Sequence, residues 1–158
     1  MPQAPSNLTL RPALPEDLNW LNGFYEEIMR PYVELTHAWD PARFRELYDP
    51  ARSWIIGFDG REIGFLSWEV RLNYVYFNNI QIHPDYRGRG LGTRLIQHVI
   101  AEAEQLRLPI RLRVLKGNPA KDLYLRLGFR EDAELEHSWE LLHDGGARKE
   151  VGFNATTC

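Results

Sequence analysis

Apolar residues recur along this chain with two different periods, and each change of period marks a change of element. Leu91, Leu95, Ile96, Val99, Ile100, Ala103 and Leu106 recur every three or four positions, a single apolar stripe on an amphipathic helix that stops before Pro109. Ile110, Leu112 and Val114 then alternate with Arg111 and Arg113, the two-residue period of a half-buried strand. Trp54–Phe58 and Glu62–Arg71 are rich in β-branched and aromatic residues, and the Asp59-Gly60 pair between them predicts a tight hairpin turn. Further strands are expected at Leu8–Arg11, Tyr74–Ile82 and Leu135–Leu142. A helix is expected from Pro15 to about Met29, interrupted by Arg30-Pro31, with a second short helix after Asp40-Pro41 and another over Pro119–Leu127. One hairpin and one strand-helix-strand crossover, without internal repeats, predict a mixed α/β fold with helices packed on the faces of a mixed sheet.

The 158 residues suit one domain, expected over 1–143, followed by a patternless and flexible tail over 144–158. Hydrophobic residues at 44% and charged residues at 26% exclude a disordered or collagen-like chain. No apolar run approaches the length of a membrane span, and Met1-Pro2-Gln3-Ala4-Pro5 lacks the basic and apolar regions of a secretory signal. The expectation is a non-secreted cytoplasmic protein with no membrane partner. The lone Cys158 allows no internal disulfide and is a poor nucleophile at a chain end. His37, His83, His98, His137 and His143 include no pair at helical ligand spacing, so no metal is expected, and His83 before Pro84 is expected to shape a turn.

Charge is unevenly distributed. Met1 to Tyr86 holds 7 basic and 12 acidic residues, Arg87 to Arg130 holds 10 and 3, and Glu131 to Cys158 holds 2 and 7. A basic middle suits a polyanionic ligand, and the acidic first part suits a cationic one. Nucleic acid is not expected, because the balance is acidic overall and the lysines are only Lys116, Lys121 and Lys149.

The most informative segment runs from Ile80 through His83-Pro84-Asp85-Tyr86 into Arg87-Gly88-Arg89-Gly90-Leu91-Gly92-Thr93 and the striped helix. Free amides at a helix start, the positive end of the helix dipole and side-chain-free backbone together make a concavity for phosphate or diphosphate, and Arg87 and Arg89 add fixed charge. A P-loop is excluded, since Leu91-Gly92-Thr93-Arg94 supplies no lysine. A dinucleotide fingerprint is excluded as well: Thr93 stands where glycine is needed, and Leu108 to Arg113 carries no acid.

This segment resembles the acyl-CoA motif R/Q-x-x-G-x-G/A of the GNAT superfamily of N-acyltransferases, matched by Arg87 to Gly92. Val114-Leu115-Lys116-Gly117-Asn118-Pro119-Ala120, followed by Leu123-Tyr124-Leu125-Arg126-Leu127-Gly128-Phe129-Arg130, is similar to that family's strand, Asn-bearing turn and Tyr-bearing helix. Leu8-Thr9-Leu10-Arg11-Pro12-Ala13 resembles a common opening there. The resemblance implies a mostly antiparallel mixed sheet of about six to seven strands flanked by about four helices. It implies transfer of an acetyl group from acetyl-CoA to a primary amine of a small molecule or protein, directly in a ternary complex and without a metal; an acyl-CoA-binding regulatory module is the alternative. It leaves a homodimer open.

The site residues it implies for acetyl-CoA are the backbone of Ile80, Gln81 and Ile82, the loop Arg87, Gly88, Arg89, Gly90, Leu91, Gly92 and Thr93, and Asn118 and Tyr124. Tyr124 is the expected general acid, because a phenol stays protonated at neutral pH and can give its proton to the departing sulfur. Asn118 is equally suited to capping the helix opened by Pro119. Where many relatives carry a glutamate base, this chain has Asn78-Asn79, and an amide accepts no proton near neutral pH. Glu26, Glu27, Glu34 and His37 are therefore expected base candidates. For the acceptor side, Glu26, Tyr32, Glu34, Trp39 and Asn78 are the expected contacts, with Trp68 a further aromatic.

Overall fold

A computed structural model describes residues 7–147. In chain order the elements are β1 (Leu8–Pro12), α1 (Leu18–Val33), α2 (Arg43–Leu47), β2 (Ser53–Phe58), β3 (Arg61–Val70), β4 (Val75–Ile82), α3 (Leu91–Leu106), β5 (Ile110–Leu115), α4 (Ala120–Arg126), β6 (Arg130–Glu134) and β7 (Ser138–His143). The strands form one sheet of 7 strands in the order β1-β2-β3-β4-β5-β7-β6. All neighbours run antiparallel except β4 and β5. The expected mixed α/β class therefore holds, with the strand and helix numbers the resemblance implied.

Alternation along the central strands sorts the core onto two faces. Ile56, Leu66, Val75, Phe77, Ile110, Leu112 and Val114 are buried with Leu91, Leu95, Ile96, Val99 and Ala103 of α3. Their neighbours Ile55 and Phe65 point the other way, against Leu21, Phe24, Ile28 and Met29 of α1. The predicted hairpin turn is present: Asp59 and Gly60 both have positive φ, 51° and 78°, as a two-residue turn matched to strand twist requires.

Two expectations are corrected. The first helix does not stop at Arg30-Pro31 but continues through Pro31 to Val33. A proline so near the end removes only one helical hydrogen bond, and Tyr32 beyond it packs on the second core cluster. The expected strand Leu135–Leu142 begins only at Ser138, as β7, and Leu135 lies in the turn that joins it to the unexpected β6, its amide donating to Ser138 O at 2.8 Å. Of the expected tail, residues 144–147 fold back on the α3–β5 junction, where the Gly146 amide donates to Leu108 O at 3.1 Å. Residues 148–158, Cys158 included, lie outside the described residues.

The β4–β5 seam positions everything that follows. Its parallel register covers only Val75↔Ile110, Tyr76↔Arg111 and Phe77↔Leu112. Beyond Phe77 the two strands part, although β4 runs on to Ile82 and β5 to Leu115. On its other side β4 stays paired with β3 through Gly64↔Ile82, with a bulge that leaves Asn78 opposite no residue between Ser67↔Asn79 and Trp68↔Phe77.

Candidate active site

The outer half of β4 thus presents a free backbone edge toward the fork. Where β4 ends, His83 Nδ1 accepts from the Asp85 amide at 3.1 Å and fixes the turn, the role expected of it. Arg87 Nε then donates to Ile82 O at 3.0 Å, tying the glycine loop to the strand end. Gly88 and Gly90 adopt φ of 75° and 76°, a left-handed region that opposes side chains. Gly90 is the N-cap of α3 and supplies no capping side chain. The first helical bond is from Arg94 N to Gly90 O at 3.1 Å, which leaves the amides of Leu91, Gly92 and Thr93 without helical acceptors. A Cβ on Gly92 would stand 3.4 Å from Leu123 and 3.8 Å from Ile82, so glycine there lets α4 and the end of β4 close on the loop.

α4 brings Tyr124 to the same place. The residue is 6% exposed, and its ring meets Phe77 edge-on at 6.2 Å and Phe129 at 5.5 Å. Burial raises the phenol above its ordinary value, so it is protonated throughout the physiological range. Asn118 caps this helix, its Oδ1 accepting from the Ala120 amide at 2.9 Å.

These pieces line one cleft of about 1520 Å³. Ile80, Gln81, Ile82, Arg87, Gly88, Gly90, Leu91, Gly92, Thr93, Asn118 and Tyr124 all reach it, as do Asn78 of β4 and, on the α1–α2 side, Tyr32, His37 and Trp39. Arg89 does not; its guanidinium lies over the Tyr86 ring at 5.3 Å. Glu26 and Glu34 do not line the cleft either, because both bracket Arg30 along α1, at 3.6 and 3.0 Å. Glu27 is likewise absent from its walls. Trp68 stacks on Trp54 at 5.4 Å and packs against the α3-side core, away from the cleft.

Several lining residues escaped the sequence reading. Glu69, 9% exposed, is held by Arg52 and Arg71. Alternation from Phe65 through Ser67 along β3 signals its inward position. His137, in the β6–β7 turn, meets His37 edge-on at 4.6 Å, a contact across a hundred positions that no local pattern encodes. Trp39 Nε1 is buried without a hydrogen-bond partner among the described residues. The site therefore offers amide donors and a guanidinium at one end, a free strand edge and a protonated phenol in the middle, and a mixed polar and aromatic wall at the other.

Comparison with known proteins places this geometry. A family model described as the acetyltransferase (GNAT) domain matches residues 49–131. Thialysine N-epsilon-acetyltransferase of Sus scrofa is 31% identical over 105 residues, covering 65% of this chain and 61% of that protein. The match thus spans about three-fifths of the length of that relative. Spermidine N(1)-acetyltransferase of Escherichia coli K12 is 27% identical over 156 residues, 88% of this chain and 81% of that one. Among solved structures, the PaiA N-acetyltransferase from Thermoplasma acidophilum in complex with coenzyme A superposes with a TM-score of 0.71 at 16% identity, covering 86% of this chain and 98% of that chain. Arabidopsis thaliana NAA60 in complex with acetyl-CoA gives 0.63 at 21% identity, covering 86% and 97%. At such identities these two structures establish a shared fold.

Proposed function

This chain belongs to the GNAT acetyltransferase superfamily, and from that membership we propose that it transfers an acetyl group from acetyl-CoA to a primary amine within one ternary complex. The observation that carries the reading is the convergence of three features in one cleft: the uncapped start of α3, the unpaired edge of β4 and the buried Tyr124.

Each feature meets a chemical need. The Leu91, Gly92 and Thr93 amides, the helix dipole and Arg87 suit a diphosphate. The free edge of β4 over Asn79–Ile82 suits the amide-bearing pantetheine arm, which can pair with it as a strand would. In the transfer, the amine nitrogen attacks the thioester carbonyl carbon, the C–N bond forms, and a β4 main-chain N–H donates a hydrogen bond to the oxyanion as its charge grows. The C–S bond then breaks and its electron pair stays on sulfur. Tyr124 donates a hydrogen bond to that sulfur. Its raised pKa, against about 8.5 for a simple thiol, favours hydrogen bonding over complete proton transfer, so solvent completes the protonation. The Asn78 amide at the bulge takes no proton, and of the expected bases only His37 lines the cleft, so the proton released by the amine leaves to His37 or to solvent.

The asparagine at that position also favours a second reading, an acyl-CoA-binding module without turnover. One experiment separates the two. Acetyl-CoA is expected to raise the melting temperature while NAD does not, and free thiol is expected to be released from acetyl-CoA when a panel of amines is added. Stabilisation without thiol release supports the module; equal stabilisation by NAD rejects both.

A further inference from the structure

The acceptor amine must lose a proton in the transfer, and the walls of the cleft hold few groups free to take one. Asp40 accepts from the Ala42 amide at 3.0 Å, Asp49 pairs with Arg52, and Glu69 lies between Arg52 and Arg71. Glu136 is exposed beside His137, its Oε1 3.6 Å from Nε2 of that ring. His37 lines the cleft and has no ion pair among the described residues. Charged groups on the neighbouring elements are engaged elsewhere: Glu34 with Arg30, and Lys116 of the β5–α4 turn with Glu134. His137, with Glu136 next to it, is the titratable group that meets His37.

Two contacts hold His37 over the mouth of the fork. The segment after α1 rests on the turns that follow β5 and precede β7. Leu35 lies against Gly117, where a Cβ would stand 3.4 Å from Leu35 Cδ1, and His37 meets His137 edge-on at 4.6 Å. The Lys116 amide donates to His137 O at 2.9 Å and ties the β6–β7 turn to the end of β5. Because β4 and β5 part beyond Phe77↔Leu112, that end of β5 is the open end of the fork. A hydrogen-bond chain also assigns the tautomer. Thr36 Oγ1 donates to Val33 O at 3.4 Å, which leaves it as acceptor for His37 Nδ1–H, 2.7 Å away. In the neutral ring the free lone pair is then on Nε2.

We propose that His37 is the general base of the transfer and that His137 holds it in place, a proposal that rests on the acetyltransferase reading above. As the amine nitrogen bonds to the thioester carbon, one N–H proton passes to His37 Nε2 and its electron pair stays on nitrogen, while the C–S pair leaves with sulfur. The imidazolium then gives its proton to solvent, which the exposed position of His37 allows. His137 is a positioning residue: it touches the base and not the amine.

The test is kcat against pH, read as thiol release at saturating acetyl-CoA and amine. The unaltered protein is expected to gain activity between about pH 5 and 8, the interval in which imidazole loses its proton. His37→Ala is expected to lower kcat about 100-fold, to lose that rise, and to recover activity when free imidazole is added. His137→Ala is expected to lower kcat less, to keep the rise, and to add nothing to the loss when combined with His37→Ala. Acetyl-CoA should raise the melting temperature of every variant equally, which shows that each is folded. With turnover present in the unaltered protein, the base alone is overturned by unchanged kcat in His37→Ala, by a rise that persists there, by a loss that imidazole does not reverse, or by a loss that comes with lost stabilisation by acetyl-CoA. A double variant worse than His37→Ala overturns the positioning role of His137. No thiol release from the unaltered protein with any amine, although acetyl-CoA stabilises it, overturns the acetyltransferase reading and the base together.

Discussion

Replacing Tyr124 by phenylalanine removes one oxygen from the centre of the cleft and leaves the ring in place. The edge-on contacts with Phe77 and Phe129 use only the ring, so folding stability is expected to change by less than about 1 kcal/mol. Turnover is another matter. A positioned acid contributes roughly 10²–10⁴-fold. The lower end applies here, because the raised pKa makes the phenol a hydrogen-bond donor to sulfur more than a proton source. A loss of about 100-fold in kcat, about 2.7 kcal/mol of transition-state stabilisation, is the expected result. The assay is continuous detection of free thiol at saturating acetyl-CoA and acceptor, alongside calorimetric affinity for CoA, which should not move because the hydroxyl acts late. An acetyl thioester of a more acidic thiol should narrow the gap between the two proteins, since its thiolate departs with less help. Unchanged kcat, or a loss matched by a parallel fall in CoA affinity and melting temperature, would refute the assignment.

The same burial has a stability consequence at high pH. Native Tyr124 keeps its proton where the unfolded chain, with an ordinary phenol, gives it up; its contribution is whole below about pH 10 and lost as pH rises further. Urea denaturation should therefore show a steeper alkaline fall for the unaltered protein than for Tyr124→Phe. Gly90→Ala meets no neighbour but forces a left-handed alanine, a cost of about 1–2 kcal/mol. It should lower the melting temperature by several degrees and weaken CoA binding, as scanning calorimetry with and without CoA will report. Gly64→Ala would drive its Cβ into the Gln81 carbonyl on β4, backbone that cannot yield, so a loss of about 3 kcal/mol or more is expected with CoA affinity falling alongside. Gly23→Ala, inside α1 with open space around it, should stabilise by up to about 1 kcal/mol in chemical denaturation.

What the sequence revealed was local. The α3 stripe, the Asp59-Gly60 hairpin and the Arg87–Gly92 loop are each written in a dozen residues or fewer, and each lies where its pattern indicated. β6 was invisible because Arg130-Glu131-Asp132-Ala133-Glu134 has no apolar alternation; it is an edge strand whose charges discourage further pairing. Glu26 and Glu34 are expected as bases and acceptor contacts, yet Arg30, between them in sequence, engages both. Glu69 was hidden by its aromatic and aliphatic neighbours, although its alternation with Phe65 and Ser67 was there to be read. The fork itself depends on where the β4–β5 register stops, and that is set by packing between distant segments.

The short parallel seam also divides the molecule into two antiparallel leaves, β1–β4 and β5–β7, and the chain passes between them once, through α3. A guest lodged in the fork acts as a wedge that touches both leaves while leaving the internal pairing of each untouched. Occupancy can therefore alter how the leaves are coupled without either having to unravel.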